Sequence, residues 1–347
     1  MTSPKQKGTK RNPSSPRPRL QDVADLAGVD ISVASRALRN APELNVRADT
    51  RQRIEEAAIA LGYIANPAAA SLKTARTSSI GIILPNLVNP GGALIAEGAS
   101  AQAAAGGYLL LVTTGTPREC LALLEPRVDG ILVASATSER GVMPDPNSVH
   151  VPLLLVNRHE PGPFPGIVVD DEAGGRLATE YLISLGHVDI GHVAGPQQTD
   201  TSRRRRAGFV AALKEKMLPV RPAWIVEGSY DEAGGYHAAG AILEQQPRPT
   251  ALLVSNLLAT VGVLAAARRL GIEVPRDLSL ITFDDVSLAK YIDPPITTVR
   301  LPLPDLGRRA VSTMINMIGG AQPKDAMIAT APEVVLRQSC APPPRGQ

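Results

Sequence analysis

The sequence predicts a small all-α unit at the N-terminus followed by an α/β body built of two parallel-sheet lobes. Between Leu20 and Leu61, apolar residues recur at helical spacing in three short bursts. Beyond Ser79, short β-branched runs alternate with longer Ala-rich helical stretches, the pattern of βαβ units. At 347 residues the chain also exceeds one ordinary compact domain. Apolar residues make up 44% of it and aromatics only 3%, so the core rests on Val, Ile, Leu and Ala.

Residues 1–18 are rich in Pro, Ser, Lys and Arg and hold no acidic residue, a composition that cannot bury enough apolar surface to order itself; a disordered basic arm is expected. Helices follow near 20–27, 32–39 and 50–61, separated by Gly28-Val29-Asp30 and by the loop from Pro42 to Ala48. Ala24, Gly28 and Ala34 stand where a helix-turn-helix needs small side chains and a positive φ. Asp30 is placed to cap the second helix, so that Ile31, Ser32 and Arg36 project from its exposed N-terminal part.

Charge separates the two units. Residues 1–79 carry 13 Lys and Arg against 7 Asp and Glu, a net +6, whereas the 23 basic and 26 acidic residues of the remainder give −3. Only the N-terminal unit has the character of a polyanion binder.

In the body, nine runs read as buried strands: 80–84, 108–113, 130–134, 153–156, 167–170, 190–194, 223–227, 251–254 and 278–283. Nine or more strands suit two sheets better than one open sheet. Cys120 and Cys340 provide neither a disulfide framework nor a metal spacing. With no secretory signal and no 18-residue apolar run, a reducing, cytoplasmic setting without membrane contact is expected. No Gly-x-Gly-x-x-Gly, phosphate-loop or Gly-x-Ser-x-Gly motif appears, and His187 and His192 have a poor ligand spacing. No catalytic residue, metal or cofactor is therefore expected.

Leu20-Gln-Asp-Val-Ala-Asp-Leu-Ala-Gly-Val29 with Ala34-Ser-Arg-Ala-Leu38, Thr50-Arg51, Leu61-Gly-Tyr63, Asn66-Pro-Ala-Ala-Ala-Ser-Leu72-Lys73 and Ile80-Gly-Ile-Ile-Leu-Pro85 closely resembles the LacI/GalR family. Further echoes are Val168-Val-Asp-Asp171, Leu185-Gly-His187, Arg205-Arg-Ala-Gly-Phe209, Phe283-Asp-Asp285 and Thr297-Thr-Val-Arg300. The resemblance implies a helix-turn-helix headpiece (19–64), a hinge helix and linker (65–78), and an α/β periplasmic-binding-protein-like sensor of two parallel-sheet lobes (79–340), with a flexible tail (341–347). It implies a homodimeric repressor that reads a palindromic double-stranded DNA operator and answers to a sugar or sugar derivative. The rival reading is a solute-binding protein with no DNA role, which should carry a secretion signal and no basic headpiece.

Carried over residue by residue, the resemblance assigns base and groove contacts to Ile31, Ser32, Ser35 and Arg36. An Arg bonds a guanine edge bidentately, whereas an Ile offers a thymine methyl only apolar contact. In the hinge, Asn66 would cap, Leu72 would wedge into the minor groove, and Lys73 would reach phosphate. Ligand contacts fall to Asn157, Arg158, Arg205, Tyr230, Asn256 and Asp284, a set suited to a polyol. Asp170 reads instead as a helix cap. Three departures from the family stand out. Arg19 and Arg47 occupy positions usually held by hydroxyl caps; Gly91-Gly92 replaces bulky aromatics beside the pocket and should loosen the helix start there; the stretch from Thr116 to Val128 is short.

Overall fold

The computed structural model describes residues 18–38, 46–63, 76–134 and 145–344. Nearly all of the expected basic arm, the hinge residues Asn66, Leu72 and Lys73, and the last three residues of the tail lie outside the described residues. The chain divides into two compact units, Met1–Ala75 and Arg76–Gln347, taken separately below.

In the first unit, α1 (Leu20–Ala27), α2 (Ile31–Ala37) and α3 (Ala48–Leu61) close on a core of Val23, Ala24, Ala27, Ala34, Ala37, Ile54, Ala57 and Ala58. Six of these eight side chains, two from each helix, are a single methyl, which is what lets short helices cross closely. Gly28 ends α1 at φ 66°, and its N–H returns to Ala24 and Asp25 carbonyls. Arg19, at the α1 N-cap, has no acceptor to offer; Asp22 compensates by accepting from the Arg19 N–H at 2.6 Å. Arg47, at the α3 N-cap, makes no side-chain cap bond.

The second unit is two sheets wound in sequence. β1 (Ser79–Leu84), β2 (Leu109–Thr114), β3 (Gly130–Val133), β4 (Leu153–Val156), β5 (Gly166–Val168) and β11 (Ala326–Met327) form the first, in the order β11-β5-β4-β3-β1-β2. β6 (Ile190–Ala194), β7 (Ile225–Glu227), β8 (Ala251–Val254), β9 (Ser279–Phe283), β10 (Thr297–Arg300) and β12 (Glu333–Val335) form the second, ordered β12-β10-β9-β8-β6-β7. Every pairing is parallel except β10 with β12. Central strands β1, β3, β4, β6, β8 and β9 are buried along their whole length, as parallel strands covered on both faces must be. The three strands not anticipated are β10, whose four residues Thr-Thr-Val-Arg hold a single aliphatic side chain, and β11 and β12, which are only two and three residues long.

Between the strands run α4 (Pro90–Ala105), α5 (Pro117–Leu124), α6 (Asp171–Ser184), α7 (Asp200–Glu215), α8 (Glu232–Leu243), α9 (Leu257–Arg269) and α10 (Leu303–Ile318). The helices pack in three pairs, α4 with α10, α6 with α7 and α8 with α9. Each pair meets at reciprocal glycines. A Cβ at Gly98 would stand 1.9 Å from the Pro304 carbonyl oxygen, and one at Gly307 would stand 2.1 Å from that of Ile95. Gly175 with Gly208, and Gly235 with Gly262, repeat the arrangement. The chain crosses between lobes three times, between β5 and α6, β10 and α10, and β11 and β12. At the sheet edge, β2 leaves Leu109 and Val112 exposed, and the eight-residue α5 beside it presents Leu123.

Two histidines are spent on this framework. His187 meets Thr250 Oγ1 at 2.8 Å, Ser279 Oγ at 3.0 Å and the Ala341 carbonyl at 2.9 Å. His192 is buried in β6, bonded through Nδ1 to the Leu253 carbonyl at 2.9 Å and tilted against Phe209. Burial, aided by Arg206 and Arg205 and opposed by the Leu253 bond, pushes its pKa down to about 4. The folded protein thus refuses a proton that the unfolded chain accepts near 6.5, so stability is lost as pH falls through that window. Acidifying from pH 7 to pH 5 should cost about 2 kcal/mol through His192 alone. Urea unfolding at the two pH values checks this: His192→Gln should flatten the difference, and an unchanged difference would contradict it.

Candidate functional site

Two surfaces carry the residues singled out in the sequence, one in each unit. On α2, Asp30 Oδ1 accepts the Ser32 N–H at 2.7 Å, which closes the helix start and holds the Asp30 carboxyl below its usual range. Ile31, Ser32 and Arg36 are exposed, Ser35 is half-buried, and Ala34 and Ala37 turn into the core. Ile31 is 41% exposed, which wastes a large apolar side chain unless something covers it. Arg36 lies back along the helix, its Nε and Nη2 each 3.1 Å from the carbonyl and hydroxyl of Ser32. The two residues form one polar surface, beside Ile31, at the start of the helix.

In the second unit, a cavity of about 440 Å³ opens between the lobes at the C-terminal ends of their strands. Asn157, Arg158, Arg205, Tyr230, Asn256 and Asp284 all line it, together with Gly91, Gly92 and Glu119 from one lobe and Thr199, Asp200 and Thr201 from the other. The Thr199-Asp200 pair opening α7 was recoverable as a helix-start signature but was not singled out. Gly91-Gly92 does not loosen α4 as the sequence suggested. Asn89 caps that helix by accepting the Gly91 N–H at 3.0 Å, and Pro90 supplies a preset φ at its first position.

Arg205 is anchored on two sides. Its Nε donates to Asp171 Oδ1 at 2.7 Å and its Nη1 to the Ser255 carbonyl at 2.5 Å, while the guanidinium plane lies 4.0 Å over Phe283. Burial works against this charge, yet Asp171, Asp284 and Tyr230 outweigh it and raise the Arg205 pKa. Asp171, missed in the sequence because it follows a capping Asp170, is the group behind Arg205. Arg204 also stands 2.8 Å from its second oxygen, although that N–H is directed at the Val169 carbonyl. With Nε and Nη1 engaged, Arg205 keeps Nη2 for the cleft.

Asn256 lines the cleft and is also tied into the fold. Its Oδ1 caps α9 by accepting the Ala259 N–H at 2.9 Å, and its Nδ2 donates to the Tyr230 carbonyl at 3.0 Å. It fixes the place of Tyr230, whose hydroxyl lies 3.1 Å from both Thr199 and Thr201 Oγ1. The Tyr230 ring covers Gly195, where any Cβ would collide at 2.5 Å.

Asn157 and Asp284 are the strained members, at φ 58° and 75° in the left-handed region. Asp284 is buried, and no hydrogen bond from a described residue reaches its carboxylate. Burial raises its pKa, with Arg205 opposing and Asp171 reinforcing. Asn157 Oδ1 and Arg158 Nε and Nη1 are likewise buried without partners. Arg158 is paired only through Nη2 to Glu160, and burial, resisted by Glu160, lowers its pKa. Each buried polar atom left bare costs about 1–3 kcal/mol, so the cleft wall holds donors and acceptors prepared for something else to satisfy.

Among the described residues, no group of three or more His, Cys, Asp or Glu converges as a metal set, and no helix is long and apolar enough to cross a membrane.

Comparison with known proteins agrees with this division of labour. Residues 19–66 match the model of bacterial regulatory proteins of the lacI family, and residues 179–340 that of a periplasmic binding protein-like domain. The chain is 32% identical over 328 residues to the HTH-type transcriptional repressor PurR of Pasteurella multocida, covering 92% of this chain and 98% of that protein. Its fold is similar to the lac repressor dimer bound to operator and the anti-inducer ONPF, at TM-score 0.79 and 26% identity over 94% of this chain and all of that one. It is also similar to a complex of the transcriptional regulator CelR with cellobiose, at TM-score 0.70 and 25% identity, covering 93% and 100%. A capped helix with an exposed edge, a two-lobed body with a polar cleft, and similarity along 92% of the chain to an HTH-type transcriptional repressor have one explanation: the chain belongs to the lacI family of bacterial regulatory proteins.

Proposed function

We propose that the protein is a sequence-specific DNA-binding repressor whose hold on its operator is set by a small sugar or sugar derivative bound in the interlobe cleft. The observation that carries the DNA role is the start of α2, where Ile31, Ser32 and Arg36 stand exposed on a helix closed by Asp30. Such an edge fits the major groove, with Ser35 beside it and Arg36 able to leave Ser32 for a guanine. Asn66, Leu72 and Lys73 are assigned to the hinge as cap, minor-groove wedge and phosphate contact. Domain boundaries at 19–64, 65–78 and 79–340 belong to the same reading.

A palindromic operator requires a homodimer, and the exposed Leu109, Val112 and Leu123 offer apolar surface for a second copy. The role is regulatory rather than catalytic, and its place is the cytoplasm, with the DNA. Effector binding shifts the lobes and so changes operator affinity; by linkage, operator changes effector affinity by the same factor. Equal effector affinity with and without operator would refute the coupling.

The deciding experiment is footprinting across the genome with and without candidate sugars. Protection of palindromic sites that a sugar alters supports the reading, and absence of any protected site at low salt defeats it. Arg36→Ala should relax preference at one base pair per half-site by about 1–3 kcal/mol, read by titration of operator variants at fixed salt.

A further inference from the structure

We propose that the cleft selects an uncharged polyhydroxylated ligand and rejects acids, phosphates and amines, with Gly91 as the residue that leaves room for a ligand hydroxyl in front of Asp284. This rests on the cleft being the effector site.

The argument begins with what the wall still needs. Among the described residues, Asn157 Oδ1 and Arg158 Nε and Nη1 have no hydrogen-bond partner, and none donates to the buried Asp284 carboxylate. A hydroxyl both donates and accepts, so a ligand bearing several can serve all of them. A carboxylate or phosphate would answer only Arg158 and the remaining Nη2 of Arg205, leaving Asp284 and Asn157 without donors, and would enter a cavity whose wall carries Glu119, Asp200 and Asp284 against Arg158 and Arg205. Both arginines, moreover, already face a carboxylate, Glu160 and Asp171. An ammonium would answer only Asp284 and Asn157 and would be repelled by the arginines. A charge brought into a desolvated site without its own partner binds poorly. A planar base also donates and accepts, but Tyr230 is the sole aromatic among the described lining residues, and its ring covers Gly195.

Gly91 decides whether the carboxylate can be reached. A Cβ there would lie 3.3 Å from Asp284 Oδ1 and 3.5 Å from Leu303 Cδ1, filling the approach, whereas one at Gly92 would find its nearest neighbour, Leu84, at 3.8 Å. Gly91 sits in the first turn of α4 without a positive φ, so alanine suits the backbone there.

The test is calorimetric titration of the full-length protein with neutral mono- and disaccharides, each matched to its uronate, phosphate and amino counterparts. Glucose with glucuronate, glucose 6-phosphate and glucosamine is the first set. At least one neutral member should bind, at least tenfold tighter than its charged counterparts. Gly91→Ala should weaken that binding at least tenfold while melting no lower than the natural chain. Asp284→Asn reads the charge rejection independently of how Gly91→Ala folds: it should shrink the penalty on the acid and phosphate members at least threefold, and an unchanged penalty overturns the inference. A charged member that matches or exceeds its neutral parent, a panel with no binder, or unchanged binding by Gly91→Ala overturns the inference. Operator footprinting without any sugar keeps the readings apart: a protein that protects DNA yet prefers a phosphate loses only this inference.

Discussion

Replacing Asp171 by alanine should destabilise the second unit by about 3–5 kcal/mol, the usual result of removing one member of a buried ion pair. Asp171 has no exposed surface, and with it gone the buried Arg205 guanidinium would lose its hydrogen-bonded counter-charge and keep the Ser255 carbonyl, the Phe283 face and the unbonded charge of Asp284. Nearby Arg204 would lose a counter-charge too, keeping Asp200. Chemical denaturation of the full chain should show a lower midpoint, and calorimetry should show effector binding lost, because Arg205 is no longer held at the cleft. A change below about 1 kcal/mol would mean the pair is merely a surface-like contact.

Gly175→Ala should cost about 3 kcal/mol, at the upper end of what overpacking does. Its Cβ would stand 2.2 Å from the Arg205 carbonyl oxygen, 3.0 Å from the carbonyl carbon and 3.2 Å from Cα, all backbone that no rotamer change can move aside. Relief requires α6 and α7 to separate, which drags Arg205 from the cleft, so lowered stability and weakened effector binding should appear together. Gly107→Ala, a control at φ 76° with nothing within 4 Å of the added atom, should show only backbone strain and leave the cleft alone. Gly175→Ala with full effector affinity would break the proposed link between helix crossing and site geometry.

What could be read from the sequence follows from the range over which each signal acts. β4 and β8 are four-residue apolar runs buried end to end, and local composition betrayed them. The α2 cap needed only Asp30 and the periodicity behind it. The six cleft residues entered through the resemblance, since Asn157 and Asp284 are 127 positions apart and nothing local ties them together. The same distance hid the reciprocal glycines: Gly98 and Gly307 each look like an isolated helix weakener until the two helices are seen to touch. Asp171 was masked by its neighbour Asp170, which accounts for an acidic residue at a helix start by itself. Asn256 carries a second duty that its place in the sequence does not show, because the residue that closes α9 and the carbonyl of Tyr230 that it holds are 26 positions apart.

The placement of β11 and β12 makes residues 326–341 a stitch through both halves of the body. β11 borders one sheet beside β5, β12 borders the other beside β10, and Ala341 beyond them supplies the carbonyl on which His187 rests. A frameshift that erased everything after residue 325 would strip a border from each half, reduce three connecting strands to two, and leave an imidazole in the interior short of an acceptor. Damage to the far end of the gene should therefore be felt at once in both lobes and in the strands that join them.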